Sequence, residues 1–307
     1  MSQPPVIRSA TLFEKFLEEE VEKVRGVSYP VKPLLLTRLL VRKAPLSKLH
    51  PNPDDEFCDP AIGPNYKIIS QYEKMFREYG PGNTSVSYSQ KSAGEPLEVL
   101  KIRPDGYQIL NGHHRWAAAW RTGIRRMNIH ILNLTTKSDI ENMLKASRND
   151  RRVTLDLDET VFCALPGEEN GFEKPLPSLF RKACSQQIRR GIPALLHYLA
   201  LHGYDIWVYT SQYLSLEHLR FLFIYYHCPV TGLVTGTARK FPAGFDLRKS
   251  IESMVKKRYR STVHIDNDML LKTFTDSKEF REVPISRSSG PWAQAVIDAF
   301  EKLDAKS

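Results

Sequence analysis

Arg151-Arg-Val-Thr-Leu-Asp-Leu-Asp-Glu-Thr-Val161 places two aspartates, Asp156 and Asp158, where a hydrophobic strand read over Val153–Leu157 comes to an end. In an open parallel sheet, ligands collect at the carboxyl ends of strands. Two carboxylates one residue apart at such an end can share a magnesium ion. One then stays free to attack a phosphorus atom while the other handles the leaving-group proton. A lone Asp-x-Asp pair is common on solvated loops, so its meaning depends on what else the chain brings to the same edge. Ile206-Trp-Val-Tyr-Thr-Ser ends a second strand in the hydroxyl pair Thr210 and Ser211, able to hydrogen-bond a phosphoryl oxygen. Val263-His-Ile-Asp-Asn-Asp ends a third strand with Asp266 and Asp268, two further carboxylates for the metal. Lys249 lies on a helix before that strand, where an ammonium would neutralise phosphoryl charge.

From Arg152 onward the pattern alternates strands and helices, which predicts an α/β domain with a doubly wound parallel sheet. Strands are expected at Val153–Leu157, Asp205–Tyr209 and Thr262–Ile265, with a weaker one at Gly232–Val234. Helices are expected at Leu179–Ile188, Pro193–Leu201, Leu216–Tyr225, Leu247–Val255 and Pro291–Leu303.

The order of these four groups resembles the haloacid dehalogenase superfamily over residues 151–307. Leu155-Asp-Leu-Asp-Glu-Thr-Val is most similar to its capless phosphatases, those related to the RNA polymerase C-terminal-domain phosphatases. The resemblance implies that Asp156 is the nucleophile forming an aspartyl-phosphate and Asp158 the general acid/base. Thr210 would bind the phosphoryl group and Lys249 would stabilise it, with Lys240 and Lys257 as rivals. Asp266, with Asp268 or Asn267, would complete a Mg²⁺ site begun by Asp156 and Asp158. The 52 positions from Asp158 to Thr210 and the 39 from Thr210 to Lys249 leave no room for a large cap domain.

A second motif lies upstream. Leu97-Glu-Val-Leu-Lys-Ile reads as a strand, Arg103-Pro-Asp-Gly as a hairpin turn and Tyr107-Gln-Ile-Leu as the return strand. Asn111-Gly-His-His-Arg then turns into a helix at Trp116–Thr122, closed by Gly123. Gly112 allows close backbone approach and the helix start offers free N–H groups. Arg115 can fork onto phosphate oxygens, and His113 or His114 can donate a further hydrogen bond. Ordinary capping and packing histidines are the plain alternative.

Residues 38–135 resemble the ParB/sulfiredoxin fold, which binds nucleotides at this turn. ParB partition proteins carry Gly-Glu-Arg-Arg there, and sulfiredoxins carry Gly-Cys-His-Arg with a reactive cysteine where this chain has His113. The free serine kinases of the fold carry Gly-His-His-Arg, the match nearest to this chain, although Asn111 replaces their preceding aspartate. That branch implies ATP or ADP held by Asn111, Gly112, His113, His114 and Arg115. It also implies a catalytic His114 and an acidic base upstream, for which Glu56 in Asp54-Asp-Glu-Phe-Cys-Asp is the candidate.

The rest of the sequence bounds these readings. A chain of 307 residues suggests about two domains. The expected division is a helical extension over 1–37, a nucleotide-binding domain over 38–135, a linker helix over 136–150 and a phosphatase domain over 151–307. The longest apolar run, Leu34–Val41, is broken by Thr37 and Arg38, so no membrane span is expected. Glu14, Glu18, Glu19 and Glu20 sit where a signal peptide would be apolar, and Cys58, Cys163, Cys184 and Cys228 are scattered, so the expected address is cytoplasmic. The net charge of +9 suits nucleotides, anionic substrates or nucleic acid, with basic clusters at Arg121–Arg126, Arg148–Arg152 and Lys256–Arg260. Two functions are thus expected. The first is a bifunctional enzyme, a Mg²⁺-dependent phosphomonoester hydrolase joined to a kinase for a small hydroxyl compound such as serine. The alternative is a ParB-like nucleotide- or nucleic-acid-binding module coupled to the phosphatase, suited to processing nucleic-acid ends.

Overall fold

The computed structural model describes residues 10–34, 41–80, 94–164, 171–178, 186–239, 246–286 and 291–305. Two compact units divide the chain: 1–133 with 239–245, and 134–238 with 246–307. Among the described residues, no helix is long and apolar enough to cross a membrane. Lys240, Cys184, most of the helix expected at 179–188 and most of the loop expected at 83–95 lie outside the described residues.

The first unit opens with helix α1 (Ala10–Glu22), which buries Phe13, Leu17 and Val21 on one stripe. After it come β1 (Tyr29–Pro30), β2 (Arg42–Pro45), β3 (Leu49–His50) and helix α2 (Tyr66–Tyr79). Asn65 caps α2 by accepting from the N–H groups of Lys67 and Ile68. The predicted hairpin forms as β4 (Leu97–Arg103) and β5 (Tyr107–Asn111), followed by helix α3 (His113–Thr122) and β6 (Arg126–Ile131). The strands run in the order β2-β6-β4-β5-β3, with β1 on β4. Parallel and antiparallel pairs mix in this sheet. Its core joins Phe13, Leu49, Ile69, Leu97 and Trp116. Helix α3 starts directly after Gly112, whose φ of +104° only glycine adopts freely; a Cβ there would stand 2.4 Å from Leu97 Cδ2.

The second unit contains helix α4 (Lys137–Ala146), β7 (Arg151–Asp156), helix α5 (Ile192–Leu201), β8 (Tyr204–Tyr209), helix α6 (Leu216–Tyr225) and β9 (Gly232–Val234). Helix α7 (Leu247–Lys256), β10 (Ser261–Ile265), β11 (Met269–Phe274), β12 (Phe280–Pro284) and helix α8 (Trp292–Ala305) complete it. Helix α4 begins with a reciprocal Thr136–Asp139 capping box, and Ile140 joins the core of this unit.

The sheet order is β12-β11-β10-β7-β8-β9. Strands β10, β7, β8 and β9 are mutually parallel, whereas β11 and β12 are antiparallel. The sheet is therefore mixed, which corrects the expectation of a purely parallel one. The physical reason is the short link: Asp266-Asn267-Asp268 reverses the chain between β10 and β11, and so short a link admits only an antiparallel neighbour. A second departure lies on β7 itself. Central parallel strands are normally apolar on both faces. Here Val153 and Leu155 point into the apolar core, while Arg152 and Thr154 alternate with them and pair in register with Thr262 and His264. Arg152 Nε donates to Thr262 Oγ1 (2.8 Å), and Thr154 Oγ1 lies 2.7 Å from His264 Nδ1. The parallel strands change winding direction between β7 and β10, the point where open sheets gather ligands.

Candidate functional site

Asp156 is the last residue of β7, and its backbone leaves the strand for a π-helical turn over Leu157–Val161. Its Oδ1 caps that turn, accepting from the N–H groups of Asp158 (2.8 Å) and Glu159 (3.1 Å). Those two bonds fix the carboxyl plane against its own chain.

Asp158 is held from the end of β8. Its Oδ1 accepts from Thr210 Oγ1 (2.8 Å), and its Oδ2 accepts from Ser211 N–H (3.0 Å) and Ser211 Oγ (2.8 Å). Thr210 is fully buried and its N–H bonds Val234 of β9. The structure thus brings Asp158, Thr210 and Ser211 together, with the two hydroxyls spent on the carboxylate.

Asp266 directly follows β10, and its Oδ1 accepts from the N–H of Asn267 (2.7 Å). Asp156 and Asp266 line one cavity of about 530 Å³, together with Glu159, Thr160, His264 and Lys256. Asp268 is not part of that lining; its carbonyl accepts from Ile285 where β12 ends. Lys249 stands at the start of α7 with an exposed side chain 3.6 Å from Asp246. Lys257 follows the last residue of α7. Lys256 is the lysine on the cavity wall, a position the order of motifs did not single out.

Among the described residues, no three His, Cys, Asp or Glu side chains gather as a metal cluster. The donor chemistry of the cavity still suits Mg²⁺, a hard cation that takes one or two carboxylates and completes its shell with water and substrate phosphate. Asp156 and Asp266 are the two aspartates on the wall that could hold it.

Asn267, expected as an alternative to Asp268 in the metal site, is held by other partners, and two residues, Arg189 and Thr160, went unnoticed in the sequence. Asn267 is bonded on every side: Oδ1 accepts from Arg189 Nη1 (3.0 Å), Nδ2 donates to the Glu159 carbonyl (3.0 Å) and its own carbonyl accepts from Trp292 Nε1 (2.8 Å). Arg189 is fully buried, with its guanidinium 4.1 Å from the Trp292 ring centroid. Thr160 is also buried, and its hydroxyl on the cavity wall has no hydrogen-bond partner among the described residues. The signal for the polar wall was the alternation Arg152, Thr154, Asp156 against Thr262, His264, Asp266.

The Gly112 turn in the first unit is built differently. Arg115 is buried and donates through Nη1 to the carbonyl of Glu95 (2.7 Å), so it points into the fold. His113 is buried, and its Nε2 accepts from the N–H of Asn52 (3.2 Å). Burial pushes the His113 pKa down to about 4 despite Asp55 at 3.8 Å. His114 Nε2 accepts from Asn65 N–H (3.2 Å), and burial lowers its pKa as well. The ring of Phe57 stacks on His113 and meets His114 edge-on. Asn111 Nδ2 donates to Glu98 Oε2 (3.1 Å), a carboxyl whose pKa burial raises. Asp55, rather than the exposed Glu56, is the acid that reaches the first histidine. Burial holds the Cys58 thiol up at about 12, so no reactive thiolate lies at this turn.

Comparison with known proteins bears on this unit. The model of the ParB N-terminal domain matches residues 85–148, which include β4, β5, α3 and β6. No curated protein matches the chain. Among solved structures, the C-terminally truncated chromosome-partitioning protein ParB from Caulobacter crescentus, complexed to the centromeric parS site, is 26% identical. That likeness covers 35% of this chain and 50% of the ParB chain, with a TM-score of 0.21. The chain thus spans about half the length of that relative. The segment around the Gly112 turn is similar to the ParB N-terminal domain, within a mixed α/β protein.

Proposed function

We propose that the chain joins a ParB-like nucleic-acid-binding module to a Mg²⁺-dependent phosphomonoesterase that acts on phosphorylated nucleic-acid ends. The observation that carries the reading is the ParB N-terminal match over residues 85–148, in a chain of net charge +9. The catalytic half draws its support from Asp156, Asp158 and Asp266 at neighbouring strand ends.

In the reaction, a carboxylate oxygen of Asp156 attacks phosphorus, the bond to the leaving oxygen breaks, and Asp158 in its acid form protonates that oxygen. A water then attacks the aspartyl-phosphate and gives its proton to Asp158. The bond from phosphorus to Asp156 breaks, releasing phosphate. Thr210 and Ser211 orient Asp158 for both proton transfers. Mg²⁺ held by Asp156 and Asp266 would supply neutralisation of the phosphoryl charge.

Phosphate release from 5′- and 3′-phosphorylated oligonucleotides with Mg²⁺ tests the enzyme half. Asp156→Asn should lower the rate by about 10³-fold or more while leaving oligonucleotide binding intact. Release that is unchanged in Asp156→Asn rules out the nucleophile, and no release from any phosphomonoester rules out the enzyme.

One observation favours a second reading, a kinase for a small hydroxyl compound: the acidic 52–58 loop folds against His113 through Asp55 and Asn52. Phosphorus NMR on Asp156→Asn with Mg²⁺, ATP or ADP, and serine separates the two. A new phosphoester lost in His114→Ala would establish the kinase.

A further inference from the structure

Strands β2 and β6 come from segments about eighty residues apart and pair with Lys43 opposite Asn128 and Pro45 opposite Arg126. Ala44, Met127 and Ile129 turn into the core, which sends Lys43 and Arg126 to the solvent face of the same ladder. Arg126 Nη2 also donates to the Lys43 carbonyl (3.1 Å), and the Arg125 carbonyl accepts from Leu46 N–H (2.9 Å). Pairing therefore gathers Arg42, Lys43, Arg125 and Arg126, all exposed, at one edge of the sheet, with Lys43 and Arg126 on its solvent face and Arg42 and Arg125 at the alternate positions beside them.

Ion pairs neutralise several other basic residues of the unit, although Lys15, Lys67 and Lys101 are exposed and unpaired as well among the described residues. Lys23, Arg25, Lys48, Arg77 and Arg121 each stand against a glutamate or aspartate. Among the described residues, none of the four at the β2–β6 edge has a carboxylate within ion-pair distance. Charges on a sheet edge often serve only to block strand addition. That explains Arg42 and Lys43 on the edge strand β2 but not Arg126, because β6 is already paired on both sides by β2 and β4.

We propose that this basic edge is a docking surface for the phosphodiester backbone of nucleic acid. It rests on the nucleic-acid reading above and names the surface that serves it. Uncompensated, exposed Lys and Arg side chains bind phosphates by releasing counterions, which gives affinity without reading sequence. The matched ParB-like segment includes β6 with Arg125 and Arg126, while β2 contributes the other half of the edge from outside it.

The test measures binding of a fluorescent 20-mer DNA, single-stranded and duplex, to the full chain across a salt series. The edge variant carries Arg42→Gln, Lys43→Gln, Arg125→Gln and Arg126→Gln. A control loses as many charges elsewhere, through Lys15→Gln, Lys67→Gln, Lys74→Gln and Arg77→Gln. A lysine variant (Arg42→Lys, Arg125→Lys, Arg126→Lys) keeps the charge, and thermal unfolding verifies that each protein folds. The edge variant should flatten the slope of log Kobs against log salt by about 3 to 4, the control by less than 1, and the lysine variant should keep the wild-type slope. Equal losses in edge and control variants, or a wild-type slope in the edge variant, overturn the surface while leaving DNA binding in place. Displacement of the DNA by a poly-glutamate peptide at matched charge overturns it in favour of an acidic protein partner. A wild-type chain that binds neither DNA form at low salt defeats the nucleic-acid reading itself, and the surface with it.

Discussion

The Gly112 turn and the β7–β10 strand ends both carry residues that sequence motifs associate with phosphate, yet their chemistry differs. At the strand ends, Asp156 and Asp266 line an open polar cavity, while Asp158 is oriented by hydroxyls that keep it in place. At the turn, the arginine is spent on a backbone carbonyl, both imidazoles are pushed toward neutrality by burial, and Glu98 faces the neighbouring Asn111. One region leaves carboxylates on the wall of a cavity, and the other uses its polar side chains to lock a loop, a hairpin and a helix together. A motif names the side chains present; burial decides whether they are available.

The sharpest way to break that contrast is pH. A His113 that is neutral in the fold and ordinary when unfolded makes the unfolded chain bind the extra proton between its two pKa values. Stability from this residue is thus complete above about pH 6.5 and is lost as the pH falls toward about 4, by up to about 3 kcal/mol. Chemical denaturation of wild type and His113→Asn across pH 4–7 measures the difference. Parallel pH profiles for the two proteins would show that the imidazole is solvated, as a ligand-facing group would be.

Gly112→Ala probes the backbone of the same turn. A left-handed φ and the overlap with Leu97 should together cost about 2 kcal/mol, read as a lower denaturation midpoint. An unchanged midpoint would mean that the turn has room to rearrange around a ligand.

The smallest effect belongs to the strand-end cavity. Thr160→Val removes a buried hydroxyl that has no partner among the described residues, so stability should stay level or rise by up to about 1 kcal/mol. A loss of more than 1 kcal/mol would show that the hydroxyl is bonded within the cavity and blur the difference between an open site and a packed one.

Much of this architecture was legible because it is local. The periodicity of Tyr66–Tyr79 and Leu216–Tyr225 matches α2 and α6 residue for residue, and the strand before Asp156 begins two residues earlier than read and ends at that aspartate. The β11–β12 pair was missed because Asp266-Asn-Asp reads as a set of carboxylates, and nothing in its composition says that it is also a reversal. The direction of Arg115 was equally hidden: its charge is plain in the sequence, but the Glu95 carbonyl that receives it lies 20 residues upstream. The basic β2–β6 edge depends on a pairing across about eighty residues, beyond any window of periodicity. Where function hinges on long-range pairing, residue type narrows the choices and geometry makes them.

The bonding around Asn267 has one more consequence. The chain holds four tryptophans, and Trp292 is the one whose indole N–H is bonded to the loop after Asp266, while Trp207 donates instead to Tyr259 deep in the core. Its ring also lies against the buried guanidinium of Arg189. Indole emission responds to such contacts, so the protein contains a built-in optical gauge of that loop, which reads its movement without a label.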